Sequence, residues 1–333
     1  MIHYVSFGFW SLFVRLEISI FRDMSVFRSL ASTLFSPFAF GVLCSSGWKR
    51  ATVYANLRHV KDTCGGLPAD VSRYPSFYEI LLRNLARHAG ELLFRFSTFK
   101  KLPSLTSSYP CRIDGIDFAI AEGSAPVLEK MRGGGIFLTA HYGNYEAIGP
   151  WLCRLGIPLV ASYIPVRPAW LNRILDKRIR SVDGRPYGVD ARTPREFLRL
   201  LDGGKLMCLL ADQDSRIPSA LDGEFLGNPV RNNPLPDFLL KHRPETPVYI
   251  CWLEDGCGRR GDGGAKGVRT LHAIELSRTL GSGATDSLSI MTRYNAWLET
   301  RIGENPALWY GWTHRRFYSK SPEIYAQETP RKK

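Results

Sequence analysis

The stretch that most constrains this chain is Gly133-Gly134-Gly135-Ile136-Phe137-Leu138-Thr139-Ala140-His141-Tyr142-Gly143-Asn144-Tyr145-Glu146. Three glycines, an uncharged run and a polar segment predict a turn, a buried strand and a loop that opens a helix, which continues to Gly156. Residues five apart on one continuous helix point about 140° away from each other, so His141 and Glu146 can meet only if a turn separates them. Tyr142-Gly143-Asn144 supplies that turn, because Gly tolerates unusual dihedrals and Asn is a favoured helix N-cap. His141 is then expected at the carboxyl end of a strand, with Glu146 in the first helical turn holding one imidazole nitrogen. A base oriented by a carboxylate can take a proton from a hydroxyl without a Ser or Cys nucleophile, provided the acceptor alcohol is itself the nucleophile. Backbone N–H groups at the new helix terminus are expected to hold developing negative charge.

Spacing alone does not decide the matter. Seven His and 31 acidic residues in 333 positions give roughly 0.65 His-x4-acid pairs by chance, so the context of the motif must decide. The alternative left open by spacing is a His packed at a strand end, with Glu146 on a solvated helix face.

The rest of the chain sorts into a helical lead-in and an alternating body. Residues 2–14 are aromatic-rich and too short to span a bilayer comfortably. A cleavable signal peptide fits them poorly, since no basic region precedes the apolar one. An interfacial anchor is the expectation, with a single transmembrane pass or a helix packed on the protein's own core as rivals. From Trp48 to Phe99 the pattern is helical, and Tyr78, Leu81, Leu82, Leu85 and Ala89 form an apolar stripe. His88 and Glu91 are expected as an exposed helical pair, and Lys100–Tyr109 as a linker. After residue 110, strands and helices alternate: a strand near Cys111, a helix over Ala119–Arg132, a strand over Ile136–Ala140, a helix over Tyr145–Leu155 and a strand over Ile157–Tyr163. Further helices follow over Ala169–Ser181 and from Pro194, then a buried strand over Leu206–Ala211. Alternation at these lengths implies a largely parallel central sheet flanked by helices, an α/β fold. Sites in such sheets gather at the carboxyl ends of strands, where both His141 and Asp212 are expected.

A net charge of +13 implies an acidic partner, whether nucleic acid, an anionic membrane surface or a negatively charged substrate carrier. The seven cysteines are scattered, without a CxxC pair or a His-rich cluster. That favours reduced thiols over a disulfide framework or a zinc site. Asp212-Gln213-Asp214 is unconvincing as a metal site, because no nearby His or third acid completes it. In the helix after Arg167, the stripe Arg173, Lys177 and Arg180 suits either a solvated basic face or contacts to phosphates. Trp309, Trp312, His314, Arg315 and Arg316 suit stacking on RNA, a place beside a membrane, or simple packing of the tryptophans.

The segment from His141 to Glu146 resembles the His-x4-Asp/Glu motif of glycerolipid and lipid A acyltransferases. It is most similar to the His-x-Gly-Asn-aromatic-Glu form of the lipid A biosynthesis (lauroyl/myristoyl) acyltransferase family, in the lysophospholipid acyltransferase-like superfamily. Trp48–Leu57, Asp212-Gln213-Asp214, Phe225-Leu226-Gly227-Asn228-Pro229 and Trp309–Arg316 agree in order, so the resemblance covers roughly residues 48 to 318. It departs at Phe225-Leu226, where the family more often shows two aromatic residues. The resemblance implies an O-acyltransferase that moves a fatty acyl group from an acyl thioester, on acyl carrier protein or CoA, to a hydroxyl of a membrane glycolipid such as a lipid A precursor.

In that reading His141 is the general base, Glu146 its orienting partner, and Arg167, Asp212, Asp214 and Asn144 contact substrate. No metal or other cofactor is needed for thioester-to-ester exchange, and no nucleic acid partner is expected. The match of the closing Trp309–Arg316 segment to the family favours a membrane-side role for it. The expected place is the cytoplasmic face of the cell inner membrane, peripheral or single-pass. The expected organisation is a membrane-associating segment over 1–47, a helical lead-in and linker over 48–109, an α/β catalytic domain over 110–320 and a basic tail over 321–333. Two alternatives stay open: an acyl thioesterase using the same pair on water, and a non-catalytic membrane- or RNA-binding protein.

Overall fold

Every position of the strand Gly135–Thr139 is buried, as an uncharged run between two layers must be. Its side chains alternate: Ile136 and Leu138 enter one hydrophobic cluster, while Phe137 enters the other on the opposite face of the sheet. The computed structural model describes residues 25–162, 168–189, 193–255, 267–276 and 289–326. Residues 2–14 and Arg167, both singled out by the sequence, lie outside these described residues.

The elements in chain order are helices α1 (Ser25–Ser45), α2 (Arg50–Val60), α3 (Tyr74–Phe94) and α4 (Phe96–Phe99), then strands β1 (Cys111–Ile113) and β2 (Ile116–Ile120). Next come α5 (Ser124–Lys130), β3 (Gly135–Thr139), α6 (Ile148–Arg154), β4 (Leu159–Ser162) and α7 (Ala169–Arg178). Short strands β5 (Ser181–Val182), β6 (Arg185–Pro186) and β7 (Gly188–Val189) precede α8 (Pro194–Asp202) and β8 (Leu206–Leu210). The hairpin of β9 (Leu221–Phe225) and β10 (Asn228–Asn232), then α9 (Leu235–His242), β11 (Val248–Asp255), β12 (Val268–Glu275) and α10 (Ile290–Glu304) complete the set.

Eight strands form the central sheet in the order β1-β2-β12-β11-β3-β8-β4-β7. From β11 through β7 every pairing is parallel. The β12–β2 pair is parallel within itself but runs against β11. The fold is therefore the α/β architecture expected, with a largely parallel sheet flanked by helices. Boundaries shift where local chemistry dictates. The helix expected from Ala119 begins only at Ser124, because the chain to Ile120 pairs with β12. Helix α8 starts where Thr193 and Pro194 predict, with a complete capping box between Thr193 and Glu196.

The lead-in helices pack onto the body. Val53, Leu57, Tyr74, Phe77, Tyr78, Leu81 and Leu82 share one core cluster with Ile136 and Leu138 of β3. Helix α1 lies on α3 at close range: a Cβ at Gly90 would stand 2.6 Å from Ser36 Oγ. The opposite face of α1 is about half exposed. Leu30, Leu34, Phe38 and Val42, four residues apart and so on one side of the helix, are 54%, 65%, 50% and 47% exposed. Among the described residues no single helix is long and apolar enough to cross a membrane. The stretch Leu30–Ser45 with Arg50–Val60 meets that test only as a pair, and the pair is bent by 79°.

Candidate active site

Strand register builds the site. Thr139 of β3 pairs with Leu210 of β8, so the chains leaving the two strands run side by side and bring His141 against Asp212 two residues later. His141 Nδ1 lies 2.8 Å from Asp212 Oδ1, and the His141 backbone N–H donates to Oδ2 at 3.0 Å. Trp309 Nε1–H also donates to Oδ2, at 2.9 Å. One buried carboxylate therefore holds the ring of His141, its backbone and the closing segment together. Burial alone would raise the Asp212 pKa, but the charge and hydrogen bonds of His141, with the bond from Trp309, bring it down to about 2. Burial acts to lower the His141 pKa, and the Asp212 charge and hydrogen bond, helped by Glu146, reverse this and raise it. The His141 side chain is 18% exposed, so its ring still reaches the surface of the site.

Two turns shape the loop between β3 and α6. Gly143 adopts a φ of 57°, and a Cβ there would sit 3.2 Å from the Leu253 carbonyl, which satisfies the requirement for Gly at this position. Tyr145–Ala147 is a single 3-10 turn, and the α-helix begins only at Ile148. The segment Leu308–Tyr310 braces the loop from behind: Gly143 N–H donates to Leu308 O at 2.9 Å and Tyr310 N–H to His141 O at 2.7 Å.

Several expectations about individual residues are corrected. The carboxylate bonded to His141 is Asp212, not Glu146. The turn at Tyr145–Ala147 leaves Glu146 acting on His141 through charge, and among the described residues no hydrogen bond joins the two. Burial pushes the Glu146 carboxyl above its usual range, partly offset by His141 and Arg180. Asp212 has its oxygens occupied by His141 and Trp309, so it is not placed to bind an acceptor hydroxyl. Asp214 turns away to Ser319 Oγ at 2.8 Å and Arg216 Nε at 3.4 Å.

Asn144 occupies the N-cap position without capping; its amide donates to Glu91 Oε2 at 2.6 Å, and Glu91 in turn pairs with Arg269. The N–H groups of His141, Tyr142, Gly143 and Ala147 are bonded within the protein, and among the described residues those of Asn144, Tyr145 and Glu146, at the start of the turn, make no hydrogen bond. Trp309 and Trp312 are fully buried, which makes them part of the core and not a membrane-side cluster.

Sequence reasoning missed two neighbours. His88, expected on an exposed face, is buried between Tyr145 and Tyr310, with ring centroids 5.3 and 5.6 Å away. Burial lowers its pKa to about 4, so it is neutral. His314 stands with its ring centroid 5.7 Å from that of His141 and is exposed. Its signal in the sequence is its place in the run Trp312-Thr313-His314-Arg315-Arg316.

The arrangement suits proton abstraction by His141 from a hydroxyl, with Asp212 fixing the tautomer and stabilising the imidazolium. The model of a family described as bacterial lipid A biosynthesis acyltransferase matches residues 123–319, more than half of the chain, including His141, Asp212, Trp309 and His314. Among solved structures the chain is similar to the crystal structure of the 1-acyl-sn-glycerophosphate (LPA) acyltransferase PlsC from Thermotoga maritima. The identity is 15%, over 84% of this chain and 98% of that one, and the TM-score is 0.31, a likeness too loose to carry an argument. No curated protein matches the chain.

Proposed function

We propose that this chain, which belongs to the bacterial lipid A biosynthesis acyltransferase family, transfers a fatty acyl group from an acyl thioester to a hydroxyl of a membrane glycolipid. Membership makes it an acyltransferase acting on a lipid; the donor, the acceptor and the working residues are the proposal. The observation that carries it is the His141–Asp212 contact of 2.8 Å at the joined carboxyl ends of two parallel strands. Asp212 takes the orienting role, His141 is the general base, and Glu146 supplies a second negative charge beside the imidazolium.

The acceptor O–H approaches His141 Nε2, the ring nitrogen opposite the Asp212 bond. As its oxygen attacks the thioester carbon, the proton passes to Nε2 and the carbonyl π pair moves onto oxygen. Collapse of the tetrahedral intermediate expels the thiolate, which recovers the proton from His141. The products are an ester and a free thiol. A net charge of +13 favours an anionic donor, acyl carrier protein or acyl-CoA. The half-exposed apolar face of α1 supports attachment to a membrane surface, with its Leu and Phe side chains entering the headgroup boundary.

Mass spectrometry of membrane lipids tests this directly. With the gene present, a glycolipid should gain one acyl chain relative to the deletion, and His141→Ala should restore the unacylated lipid. An identical lipid profile with the gene present, absent or mutated refutes the assignment.

A further inference from the structure

We propose that His314 is a second catalytic imidazole, donating the hydrogen bond that holds the thioester carbonyl oxygen as it becomes an oxyanion. The inference rests on the acyl-transfer reading above and extends it to a residue outside the His-x4-Glu segment.

The need for such a donor comes from the loop itself. Attack on a thioester puts a full negative charge on oxygen, and aimed donors at that point are usually the largest single contribution to the rate. Of the loop's backbone donors, those of His141, Tyr142, Gly143 and Ala147 are committed elsewhere, and among the described residues only those of Asn144, Tyr145 and Glu146 make no hydrogen bond. Helix α6 is only seven residues long and starts beyond the turn, so it presents no N-terminal anion site either. The Asn144 amide is also engaged, and the carboxylates of Asp212 and Asp214 accept hydrogen bonds and cannot donate one.

His314 is different on three counts. Its ring centroid lies 5.7 Å from that of His141 at an interplanar angle of 40°, a ring–ring contact, so a carbonyl seated beside the pair is within reach of both imidazoles. It is exposed, and among the described residues its ring makes no hydrogen bond, so an N–H is available to a ligand. Its backbone is nevertheless fixed. The His314 N–H donates to Gly311 O at 2.9 Å, and its carbonyl accepts from Asn56 Nδ2 at 2.9 Å and from the Arg316 N–H at 3.0 Å. Trp312 and Arg316 on either side are buried, so the position is held as firmly as the core. An exposed side chain on a backbone this constrained is preorganised, which is what a donor to a transient charge requires.

Charge state agrees with the role. Partial desolvation, with the positive charges of His141 and Lys49 nearby, lowers the His314 pKa to about 4. At neutral pH it therefore carries a donor N–H without a charge, and does not oppose the proton that His141 must accept. In the step, the acceptor oxygen bonds to the carbonyl carbon while its proton moves to His141 Nε2. The π pair goes to the carbonyl oxygen, held by the His314 N–H, and returns when the C–S bond breaks. His314 keeps its own proton throughout.

The test uses the full-length protein, with a long-chain acyl-CoA as donor and membrane lipid extract from the deletion strain as acceptor, and reads ester formation by mass spectrometry and thiol release. Two variants separate donor from bulk: His314→Phe keeps a ring without a donor, and His314→Gln keeps a donor without the ring. We expect His314→Phe to lose about 100- to 1,000-fold in kcat, with the KM for acyl-CoA within about threefold of wild type. His314→Gln should recover at least about tenfold of that loss. Wild-type kcat in His314→Phe, or equal losses in both variants, overturns the proposal while leaving the acyl-transfer reading intact. Absence of transfer by the wild-type protein with both acyl-CoA and acyl carrier protein donors overturns that reading instead, and this inference with it.

Discussion

Replacing Asp212 by Asn keeps the shape of the side chain but leaves one acceptor oxygen where there were two. Three donors now meet that carboxylate: His141 Nδ1–H on Oδ1, and the His141 N–H and Trp309 Nε1–H on Oδ2. The amide oxygen can satisfy the two fixed donors, and its NH2 then faces Nδ1. That forces the imidazole to carry its proton on Nε2, the nitrogen that must accept one. Turning the amide round restores the useful tautomer but sets NH2 against two buried N–H groups, at about 1–3 kcal/mol each. The competent tautomer is thus disfavoured by roughly 2–6 kcal/mol, and the charge that stabilised the imidazolium is lost as well. The expected fall in kcat is on the order of 10³–10⁴, the size seen when the aspartate of a Ser-His-Asp site is treated in the same way. All three contacts are kept in that arrangement, the one to Nδ1 with its donor reversed, so loss of stability should stay within about 2 kcal/mol. Release of free thiol from an acyl thioester gives the rate, nitrogen NMR of His141 gives the tautomer, and thermal unfolding gives the stability. A rate within tenfold of wild type, or a proton still on Nδ1, refutes the reasoning.

Glu146→Gln removes a charge but no hydrogen bond to His141, so kcat should fall only about tenfold; a loss as large as that of Asp212→Asn returns the orienting role to Glu146. Because the pair raises the His141 pKa above its usual 6.5 and the base must be unprotonated, kcat/KM should rise with pH along a limb centred above that value. In Asp212→Asn burial prevails and the limb should move down; an unmoved limb in a pH–rate profile contradicts this. The depressed Asp212 carboxyl, at about 2 against an ordinary 3.8, contributes stability that is present above about pH 4 and disappears as pH falls towards 2. Acid unfolding of Asp212→Asn should lack that component. Leu34→Ser with Phe38→Ser removes two half-exposed apolar side chains worth about 1 kcal/mol each at an interface. Cosedimentation with anionic vesicles should weaken roughly 30-fold, and unchanged binding would exclude this face of α1 as the contact.

The strand and the turn around His141 are legible because they are local: the buried strand and Gly143 follow from neighbours in the chain, although α6 starts three residues beyond Tyr145. The identity of the orienting acid was not local. It depends on β8 entering the sheet between β3 and β4, which no spacing within the His141–Glu146 segment encodes. The clue lay in placing both His141 and Asp212 at strand ends, and in the cost of an uncompensated carboxylate there. His88 was misplaced because a single apolar stripe was assumed for α3. That helix is covered on one side by α1 and on another by the body, so a residue off the stripe is buried too. His314 was overshadowed for a similar reason: composition separates aromatic from basic residues, but not the one left uncovered from those that cover it.

A single carboxylate ties together three parts of the chain made at very different times. During synthesis the imidazole of His141 leaves the ribosome well before the indole of Trp309, and the loop that carries it cannot be braced until Leu308–Tyr310 arrives. The base is consequently set only once the chain has been made as far as Tyr310. A chain made only as far as Glu146 holds both residues of the His-x4-Glu motif but neither Asp212 nor Trp309 to orient the imidazole.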